Sequence, residues 1–540
     1  MKMTGGEAMV KSLTNNGVDT LFAIPGIQMD GFFNAAYDDR NTLRVIHTRH
    51  EQGCAYMAFG YAEVTGKVGA FAVVPGPGLL NTTAALSTAY ACNSPVLCLS
   101  GQIPSDGIGR GFGLLHEIPD QLSLIKGLTK WAGRVEHASQ APQLMEEAFR
   151  QLRTGRLRPV ELEVPMDVLA AHADVELRAQ IAHYEEPGPD PESVEAAAKL
   201  LGQAKRPIIF VGGGIRDAEK PLLELAEMLE APVVMTRSAL GAVSDHHHLA
   251  LKTVGGHRLW AQSDVVLAVG TRLHPTYPGW GVDDAMKVIR VDIDPVEMNR
   301  AGRPDVGIVA HADAALAALV DKVPAHNRAR TSMRDELDTL RATLNAEYHA
   351  ELGPQMAYID AIRKALPDDG IVVEELTQVA YVARFAMPMY TPRSYISSGY
   401  QGTLGFGFGT ALGAKVGAPD RPVVSICGDG GFMYQVQELS TAVQQQLQVV
   451  TLVFNDGAYG NVQRMQIEDY GGKVVATDLH NPDFVAMAES FGAQGLRATT
   501  PAEVTAAIEK GLRTPGPTLI DVPLGKTPAP WKFLALPKAR

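Results

Sequence analysis

The chain has 540 residues and a formal net charge of −12, with 48 Lys and Arg against 60 Asp and Glu. So acidic a chain is a poor candidate for binding nucleic acid or an anionic membrane, and its 46% hydrophobic residues exclude a disordered protein. Its start lacks the apolar run of a signal peptide, and no stretch of about 18 apolar residues occurs, so the sequence predicts a cytoplasmic protein without a transmembrane helix.

The first part of the chain alternates short apolar strands with helices. Helices are predicted over 6–15, 52–65 and 79–91, and the last strand lies in RPVELEVPMDVL. This alternation is typical of a mostly parallel sheet that is covered by helices on both faces. Residues 1–175 are therefore predicted to form one α/β domain.

Two further parts repeat this alternation. The linker HYEEPGPDPESVEAA, rich in Pro and acidic residues, precedes the second part, and a charged helical connector over 327–355 precedes the third. The sequence therefore predicts three doubly wound α/β domains with parallel sheets, which cover 1–175, 190–325 and 350–540.

Glycine is the unusual feature of the composition, since 53 Gly exceed the usual share of roughly 7%. The glycines fall in short clusters, which predicts backbone in close approach to a ligand, often one that carries phosphate. The most informative cluster is GDGG, which begins at Gly428, follows the apolar strand PVVSIC and opens onto a predicted helix.

Polar side chains follow two strands of the third part. Asp429 lies at the tip of PVVSIC, and Asn455 at the tip of the next strand, VVTLVF. The two can reach one site, because parallel strands joined by one helix end side by side. Their oxygens, a backbone carbonyl and phosphate oxygens suit octahedral Mg²⁺. The alternative is a turn in which Asp and Asn serve only as caps.

Glu51, in TRHEQGCAYMAFGYAEVTG, is a second candidate residue. It lies between a strand and a helix of small residues, in largely apolar surroundings. A carboxyl held in an apolar site has a raised pKa and can donate a proton at neutral pH. The alternative is a Glu that stabilises the start of a helix.

GDG with Asn455 one helix and one strand later resembles the motif that binds thiamin diphosphate. The resemblance extends over nearly the whole chain, to the superfamily of acetolactate synthase, benzoylformate decarboxylase and benzaldehyde lyase. That superfamily has pyrimidine-binding, central and diphosphate-binding domains in this order. The resemblance implies that Asp429, Asn455 and the carbonyl of Gly457 hold Mg²⁺. It also implies cofactor contacts at Gly402, Leu404, Glu375, Thr377, Gln378, Gly428, Gly430, Gly431 and Tyr459.

The resemblance gives some of these residues specific roles. Glu51 would protonate the aminopyrimidine ring, so that the ring's imine removes a proton from the thiazolium carbon and leaves a nucleophilic ylid. In SSGYQGTLGFGFG, Leu404 would bend the cofactor and the carbonyl of Gly402 would accept from its exocyclic amine. On the residues alone, the same run could equally be a Gly-rich contact between a helix and a sheet.

The substrate pocket is expected to involve loops of the first domain. Gln28, in FAIPGIQMD, occupies a loop that faces the thiazolium in relatives, and His116 stands where many relatives have Gln. The alternative for His116 is a buried core histidine. Gln28, His116 and Tyr459 would form a semi-polar pocket, which suits a 2-oxoacid or a small hydroxyketone.

The central part carries a weak nucleotide signal. VGGGIRDAEK looks like half of a dinucleotide fingerprint. Arg272 matches a segment of FAD-binding relatives, but the following TRLHPTYPGWG departs from their pattern. FAD is thus possible but not favoured.

The leading interpretation is an enzyme of the acetolactate-synthase-like group that depends on thiamin diphosphate and Mg²⁺. It would decarboxylate a 2-oxoacid to an enamine and then protonate it or pass it to an acceptor carbonyl. One alternative is a 2-hydroxyketone lyase of the benzaldehyde lyase type, and another is a non-catalytic regulatory protein that binds the cofactor. The resemblance implies a homodimer or homotetramer with active sites between chains. The acidic net charge predicts no nucleic-acid or membrane partner.

Overall fold

The computed structural model describes residues 1–178, 184, 186, 188–273 and 279–540. Parts of the predicted linker and of the segment after Arg272 lie outside the described residues. The described chain forms three six-stranded parallel sheets with helices packed against them, together with one small antiparallel pair. This confirms the predicted fold class. None of the described helices is long and apolar enough to cross a membrane.

The N-terminal sheet has the strand order β3-β2-β4-β5-β7-β6. Most of its strands are short apolar runs, and β5 is buried along its whole length. The strands are β2 Thr20–Ala23, β3 Arg44–His47, β4 Gly69–Val73, β5 Val96–Gln102, β6 Trp131–Arg134 and β7 Val160–Pro165. The helices are Gly5–Asn15, Asp30–Asp38, Glu51–Thr65, Pro77–Leu80, Thr83–Cys92, Gln121–Lys126, Ala141–Arg153 and Met166–Ala170. The antiparallel pair joins β1 Lys2–Thr4 to β8 His172–Asp174.

The central sheet has the order β11-β10-β9-β12-β13-β14, so the strand order reverses between β9 and β12. Its strands are β9 Pro207–Val211, β10 Val233–Met235, β11 Ala250–Lys252, β12 Val265–Val269, β13 Lys287–Asp292 and β14 Val306–Val309. Its helices are Pro191–Gln203, Glu219–Leu229, Thr253–Trp260 and Ala312–Lys322.

The C-terminal sheet has the order β16-β15-β17-β18-β20-β19. Its strands are β15 Ile371–Glu374, β16 Tyr395–Ile396, β17 Val423–Gly428, β18 Val449–Asn455, β19 Gln494–Arg497 and β20 Thr518–Pro523. The helices are Gln378–Ala386, Gly407–Gly417, Asp429–Phe432, Leu439–Gln444, Gly460–Glu468, Phe484–Ser490, Pro501–Arg513 and Trp531–Leu534.

Three predicted helices differ from the structure. The helix expected over 79–91 is divided, and the Thr82 hydroxyl at the break donates to the carbonyl of Leu79. The connector is the longer helix Arg334–Ala365, which kinks at Leu352 just before Pro354. The helix expected after GDGG consists of two short pieces.

The N- and C-terminal domains of the chain share one core. A single buried cluster includes Phe22 and Phe59 of the first and Phe408 and Phe432 of the second. Helix Glu51–Thr65 packs directly on helix Gly407–Gly417. The two backbones are so close that a Cβ on Gly60 would overlap the carbonyl of Thr410. Glycine at this crossing therefore brings the two backbones together and fixes the start of the first helix relative to the C-terminal domain.

Candidate active site

The GDGG turn joins β17 to a short helix at the carboxyl end of the C-terminal sheet. β17 and β18 pair in parallel with Gly428 opposite Phe454, so Asp429 and Asn455 leave neighbouring strands at the same level. The side chain of Asp429 is buried, and its Oδ1 accepts the backbone N–H of Gly430 at 2.9 Å. The strand ends thus hold the two polar residues side by side.

The oxygens of Asp429 and Asn455 converge on one point. Asn481 Nδ2 donates to Asp429 Oδ2 at 2.6 Å and to Asn455 Oδ1 at 3.0 Å. The N–H of Gly457 also donates to Asp429 Oδ2, at 2.9 Å. Because the amide of Asn481 reaches both oxygens, those of Asp429 and Asn455 lie close enough together that one cation could bind both. Among the residues that the structure describes, no cluster of three or more His, Cys, Asp or Glu that could hold a metal ion occurs, so this candidate rests on Asp429 together with an amide and a backbone carbonyl.

The glycines of the turn leave no room for side chains. A Cβ on Gly430 would lie 2.7 Å from a ring carbon of Tyr459, and one on Gly431 would overlap Oε1 of Glu375. Because these positions tolerate only glycine, the turn can present its backbone directly to a ligand.

A cavity of about 260 Å³ opens over this turn. Every described residue that lines it comes from the C-terminal domain. Eight of the predicted cofactor residues are among them, together with Asp429: Thr377, Gln378, Gly402, Leu404, Gly428, Gly430, Gly431 and Tyr459. The structure therefore brings these nine predicted site residues to one concave surface.

Glu375 lies behind this surface. Its side chain is fully buried, and its Oε1 accepts the N–H of Gly405 at 2.5 Å. Burial raises the pKa of Glu375 to about 7, although the N–H groups of Gly405 and Gly407 and the Cys427 thiol favour the ionised form. Glu375 thus holds the backbone between Leu404 and the GDGG turn, and its own carboxyl does not line the cavity.

Sequence reasoning missed two polar residues at this site. Asp456 lines the cavity, and burial and the nearby charge of Asp429 raise its pKa to about 6. Asn481 bonds both strand-end oxygens from a distant loop. Asp456 could have been found from its position directly after Asn455, but nothing in the sequence near Asn481 predicts its contact.

The predicted residues of the N-terminal domain form a second group. Glu51 begins helix Glu51–Thr65, is half-buried, and accepts a hydrogen bond from Asn81 Nδ2 at 2.9 Å. A Cβ on Gly78 would lie 3.8 Å from Glu51 Oε1, so the PGPG turn passes beside the carboxyl. Asn81 is a further functional candidate, because its amide orients Glu51.

Gln28 and His116 lie together in the same domain. Gln28 is buried, and its Nε2 donates to the carbonyl of Leu115 at 3.0 Å, so it holds the loop before His116. His116 has a φ of +68°, which is strained for a residue with a side chain. Its carbonyl packs against Gly76. None of Gln28, Glu51 and His116 lines the cavity of the C-terminal domain.

The central GGG turn has a structural cause. Gly214 donates its N–H to the carbonyl of Gly270 at 3.0 Å, and a Cβ on Gly214 would lie 2.8 Å from the Cα of Gly270. The glycines thus allow two loops to pack backbone to backbone. A cavity of about 230 Å³ lies next to them, where the strand order reverses.

Comparison with known proteins decides the family. Three models of the thiamine pyrophosphate enzymes match the chain: the N-terminal TPP binding domain over 3–124, the central domain over 194–319 and the C-terminal TPP binding domain over 377–522. The chain belongs to the thiamine pyrophosphate enzymes. Thiamine pyrophosphate and thiamin diphosphate are the same cofactor, so the predicted family is confirmed.

Several relatives resemble this chain over nearly its whole length. A probable 2-ketoarginine decarboxylase of Pseudomonas aeruginosa is 34% identical over 96% of this chain and 94% of its own. A probable acetolactate synthase large subunit of Methanocaldococcus jannaschii is also 34% identical, over 96% and 92%. Acetolactate synthase isozyme 1 large subunit of Escherichia coli is 32% identical, over 96% and 94%. The chain is accordingly a thiamin-diphosphate-dependent enzyme that forms or cleaves carbon–carbon bonds, in the group of acetolactate synthases and related decarboxylases.

Proposed function

We propose that the protein decarboxylates a 2-oxoacid and releases the product or joins it to an acceptor carbonyl. The observation that carries the proposal is the C-terminal cavity, which the glycine turn and Asp429 line, with the oxygen of Asn455 converging on Asp429 beside it. The relatives named above include a decarboxylase and two acetolactate synthases, and they support a 2-oxoacid as the substrate class.

The proposed cofactors are thiamin diphosphate and Mg²⁺, without FAD. Asp429 and Asp456 both line the cavity, and two carboxylates would repel a diphosphate unless a divalent cation lay between them. Asp429, Asn455 and the carbonyl of Gly457 are the proposed ligands, a set of hard oxygens that suits Mg²⁺. The packing of GGG on Gly270 accounts for those glycines without a flavin. Visible absorbance of oxidised flavin in the purified protein would contradict this cofactor set.

The residues of the chain divide the work of the proposed reaction. Gly428, Gly430 and Gly431 would present backbone to the diphosphate, and Leu404 would contact the cofactor. Bound thiamin diphosphate supplies the nucleophilic carbon that adds to the substrate carbonyl. Glu51, oriented by Asn81, would hold the proton at the aminopyrimidine ring, and Gln28, His116 and Tyr459 would border the substrate.

We further propose that two copies of the chain share each active site. In the part of the chain that the structure describes, the residues lining the cavity all belong to the C-terminal domain, whereas Glu51 lies in the N-terminal domain. Exposed apolar side chains border both the cavity and the region around Glu51. Contact with water is unfavourable for such side chains, and a second copy of the chain would cover them. They are Ile27, Leu80, Phe112 and Leu115 in the region around Glu51 and Val462, Met465, Ile467 and Tyr470 near the cavity. A homodimer or homotetramer satisfies this arrangement.

Calorimetric titration tests the cofactor proposal. Thiamin diphosphate is expected to bind with Mg²⁺ present and to bind much more weakly with EDTA. Absence of binding with Mg²⁺ would refute the proposed function. A screen of pyruvate, 2-ketoarginine, benzoylformate and benzoin for CO₂ or aldehyde release then identifies the substrate. Cleavage of benzoin alone would favour the hydroxyketone lyase.

Mixing two impaired variants tests the shared site, at a Mg²⁺ concentration that saturates the wild type but not Asp429→Asn. Glu51→Gln alters the part of the site that the N-terminal domain supplies, and Asp429→Asn alters the part that the C-terminal domain supplies. If two chains share each site, a mixed dimer has one site with both substitutions and one site with neither. Random mixing after reversible dissociation should restore about a quarter of the wild-type turnover. If the mixture stays as inactive as its components although mixed dimers form, each chain builds its own site.

A further inference from the structure

Glu438, in the C-terminal domain, contacts the backbone that leads into the Glu51 helix. Its side chain is fully buried. Glu438 Oε1 accepts the N–H groups of Arg49 at 3.1 Å and His50 at 3.0 Å, and Oε2 also accepts from Arg49 at 3.1 Å. These are the two residues directly before Glu51. One carboxylate of the C-terminal domain thus holds the backbone that precedes Glu51.

Packing around the Glu438 carboxylate leaves little freedom. A Cβ on Gly53 would lie 2.6 Å from Glu438 Oε1, so the first turn of the helix closes directly over the carboxylate. The Thr441 hydroxyl donates to Oε2 at 2.6 Å and fixes the other oxygen. Both oxygens of Glu438 accept hydrogen bonds, and the first turn of the helix covers one face of the carboxylate. The carboxylate therefore fixes the position of the backbone at Arg49 and His50 to within a hydrogen-bond length.

The same stretch of chain carries the GDGG turn. A continuous series of turn hydrogen bonds runs from Asp429 to Glu438: Met433 N–H to Asp429 O, Tyr434 N–H to Gly431 O, Gln435 N–H to Phe432 O and Glu438 N–H to Gln435 O. These hydrogen bonds leave the segment between the GDGG turn and the Glu438 carboxylate little conformational freedom. The position of the Glu51 helix is therefore tied to the turn that would receive the diphosphate.

We infer that Glu438 is a positioning residue that sets the place of Glu51 through the backbone of Arg49 and His50. The inference rests on the proposed function, in which Glu51 is the group that holds the catalytic proton. Glu438 lines no part of the cavity and acts only through the helix start. The length of the Glu438 side chain matters for this role. A carboxylate shortened by one methylene loses its hydrogen bonds from the N–H groups of Arg49 and His50, whereas an amide of full length can still accept them.

The test compares Glu438→Asp, which keeps the charge and shortens the reach, with Glu438→Gln, which keeps the reach and removes the charge. Glu503→Asp is the matched control, because Glu503 Oε2 also accepts two consecutive backbone N–H groups, from Thr499 and Thr500, at another helix start. Hydrogen exchange of the peptide that contains Arg49 and His50 is measured together with kcat and KM for the 2-oxoacid. Thiamin diphosphate titration with Mg²⁺ counts the active sites, so that kcat refers to folded, loaded protein.

The expected order of kcat is wild type, then Glu438→Gln, then Glu438→Asp, with at least about a tenfold loss for Glu438→Asp. KM should stay within about twofold, since Glu438 does not contact the proposed substrate pocket. Exchange at Arg49 and His50 should accelerate in Glu438→Asp, and the control should keep its kcat.

Three results would overturn the inference: Glu438→Asp as active as Glu438→Gln, unchanged exchange in Glu438→Asp, or faster exchange with wild-type kcat. Failure of the proposed function itself gives a different result, since the wild-type protein would then not bind thiamin diphosphate in the titration. The exchange measurement needs no turnover and still decides whether Glu438 holds the helix start.

Discussion

The buried carboxyl of Glu375 predicts a pH-dependent stability that one substitution should remove. Its pKa lies at about 7 in the folded protein against an ordinary 4.5. Between these values the unfolded chain releases its proton while the folded chain retains it, so stability falls by about 1.4 kcal/mol per pH unit. The rise in the pKa from 4.5 to about 7 corresponds to about 3 kcal/mol of the free energy of unfolding, which is lost in full above pH 7.

Glu375→Gln resembles the protonated carboxyl and does not ionise. Its oxygen can still accept the N–H of Gly405. The variant should therefore stay within about 1 kcal/mol of the wild type near pH 5 and be more stable by about 3 kcal/mol at pH 8.5, which slows local exchange about a hundredfold. Glu489→Gln makes the same change on an exposed carboxylate of the same domain and should alter neither value.

Hydrogen exchange of peptides from β15 and β17, in cofactor-free protein, measures this difference. Comparing two proteins at the same pH cancels the intrinsic pH dependence of amide exchange. If the ratio of rates between wild type and Glu375→Gln is the same at pH 5 and pH 8.5, Glu375 does not titrate as its burial predicts, and the reasoning fails.

Three further predictions concern the proposed active site. Glu51→Gln should lower turnover at least about a hundredfold and leave calorimetric binding of thiamin diphosphate unchanged, and a variant with normal turnover would remove Glu51 from its role. Gly431→Ala must displace the turn from Glu375, so its affinity for thiamin diphosphate should fall at least about tenfold; wild-type affinity would mean that the turn has room for a side chain. Asp429→Asn should lose about 10- to 100-fold in Mg²⁺ affinity during the same titration, whereas the exposed Asp420→Asn should not; equal affinities would contradict Asp429 as a ligand.

Much of the fold could be predicted because its central strands are apolar and its helices periodic. Four strands at sheet edges were missed: β6, β11, β14 and β19. Two of them, β6 (WAGR) and β19 (QGLR), are short and partly polar, so their pattern differs little from that of a loop. They form strands because a neighbouring strand offers hydrogen bonds, which is a tertiary effect. The domain bounds 1–175, 190–325 and 350–540 stay predictions.

The candidate site was predictable where its residues follow strands of one sheet. Asp429 and Asn455 could be placed together from topology alone, because β17 and β18 are joined by one connection. Asn481 and Glu438 could not, since their contacts depend on how distant loops fold back. The role of Glu375 also needed coordinates, because its side chain points behind the cavity towards Gly405. Sequence patterns indicate which strand ends carry function and leave open the residues that support them.

The packing of the Glu51 helix supports the proposal that two copies of the chain share each active site. The helix is fixed against the C-terminal domain of its own chain, through the glycine crossing at Gly60 and through Glu438. A helix held at both its start and its middle is not free to bring Glu51 into the cavity of that domain, which none of the described N-terminal residues lines. If Glu51 acts on the cofactor, the cavity that it serves must belong to a second copy. Full turnover by a protein that stays monomeric at assay concentration would therefore contradict either the assigned role of Glu51 or the rigidity of this packing.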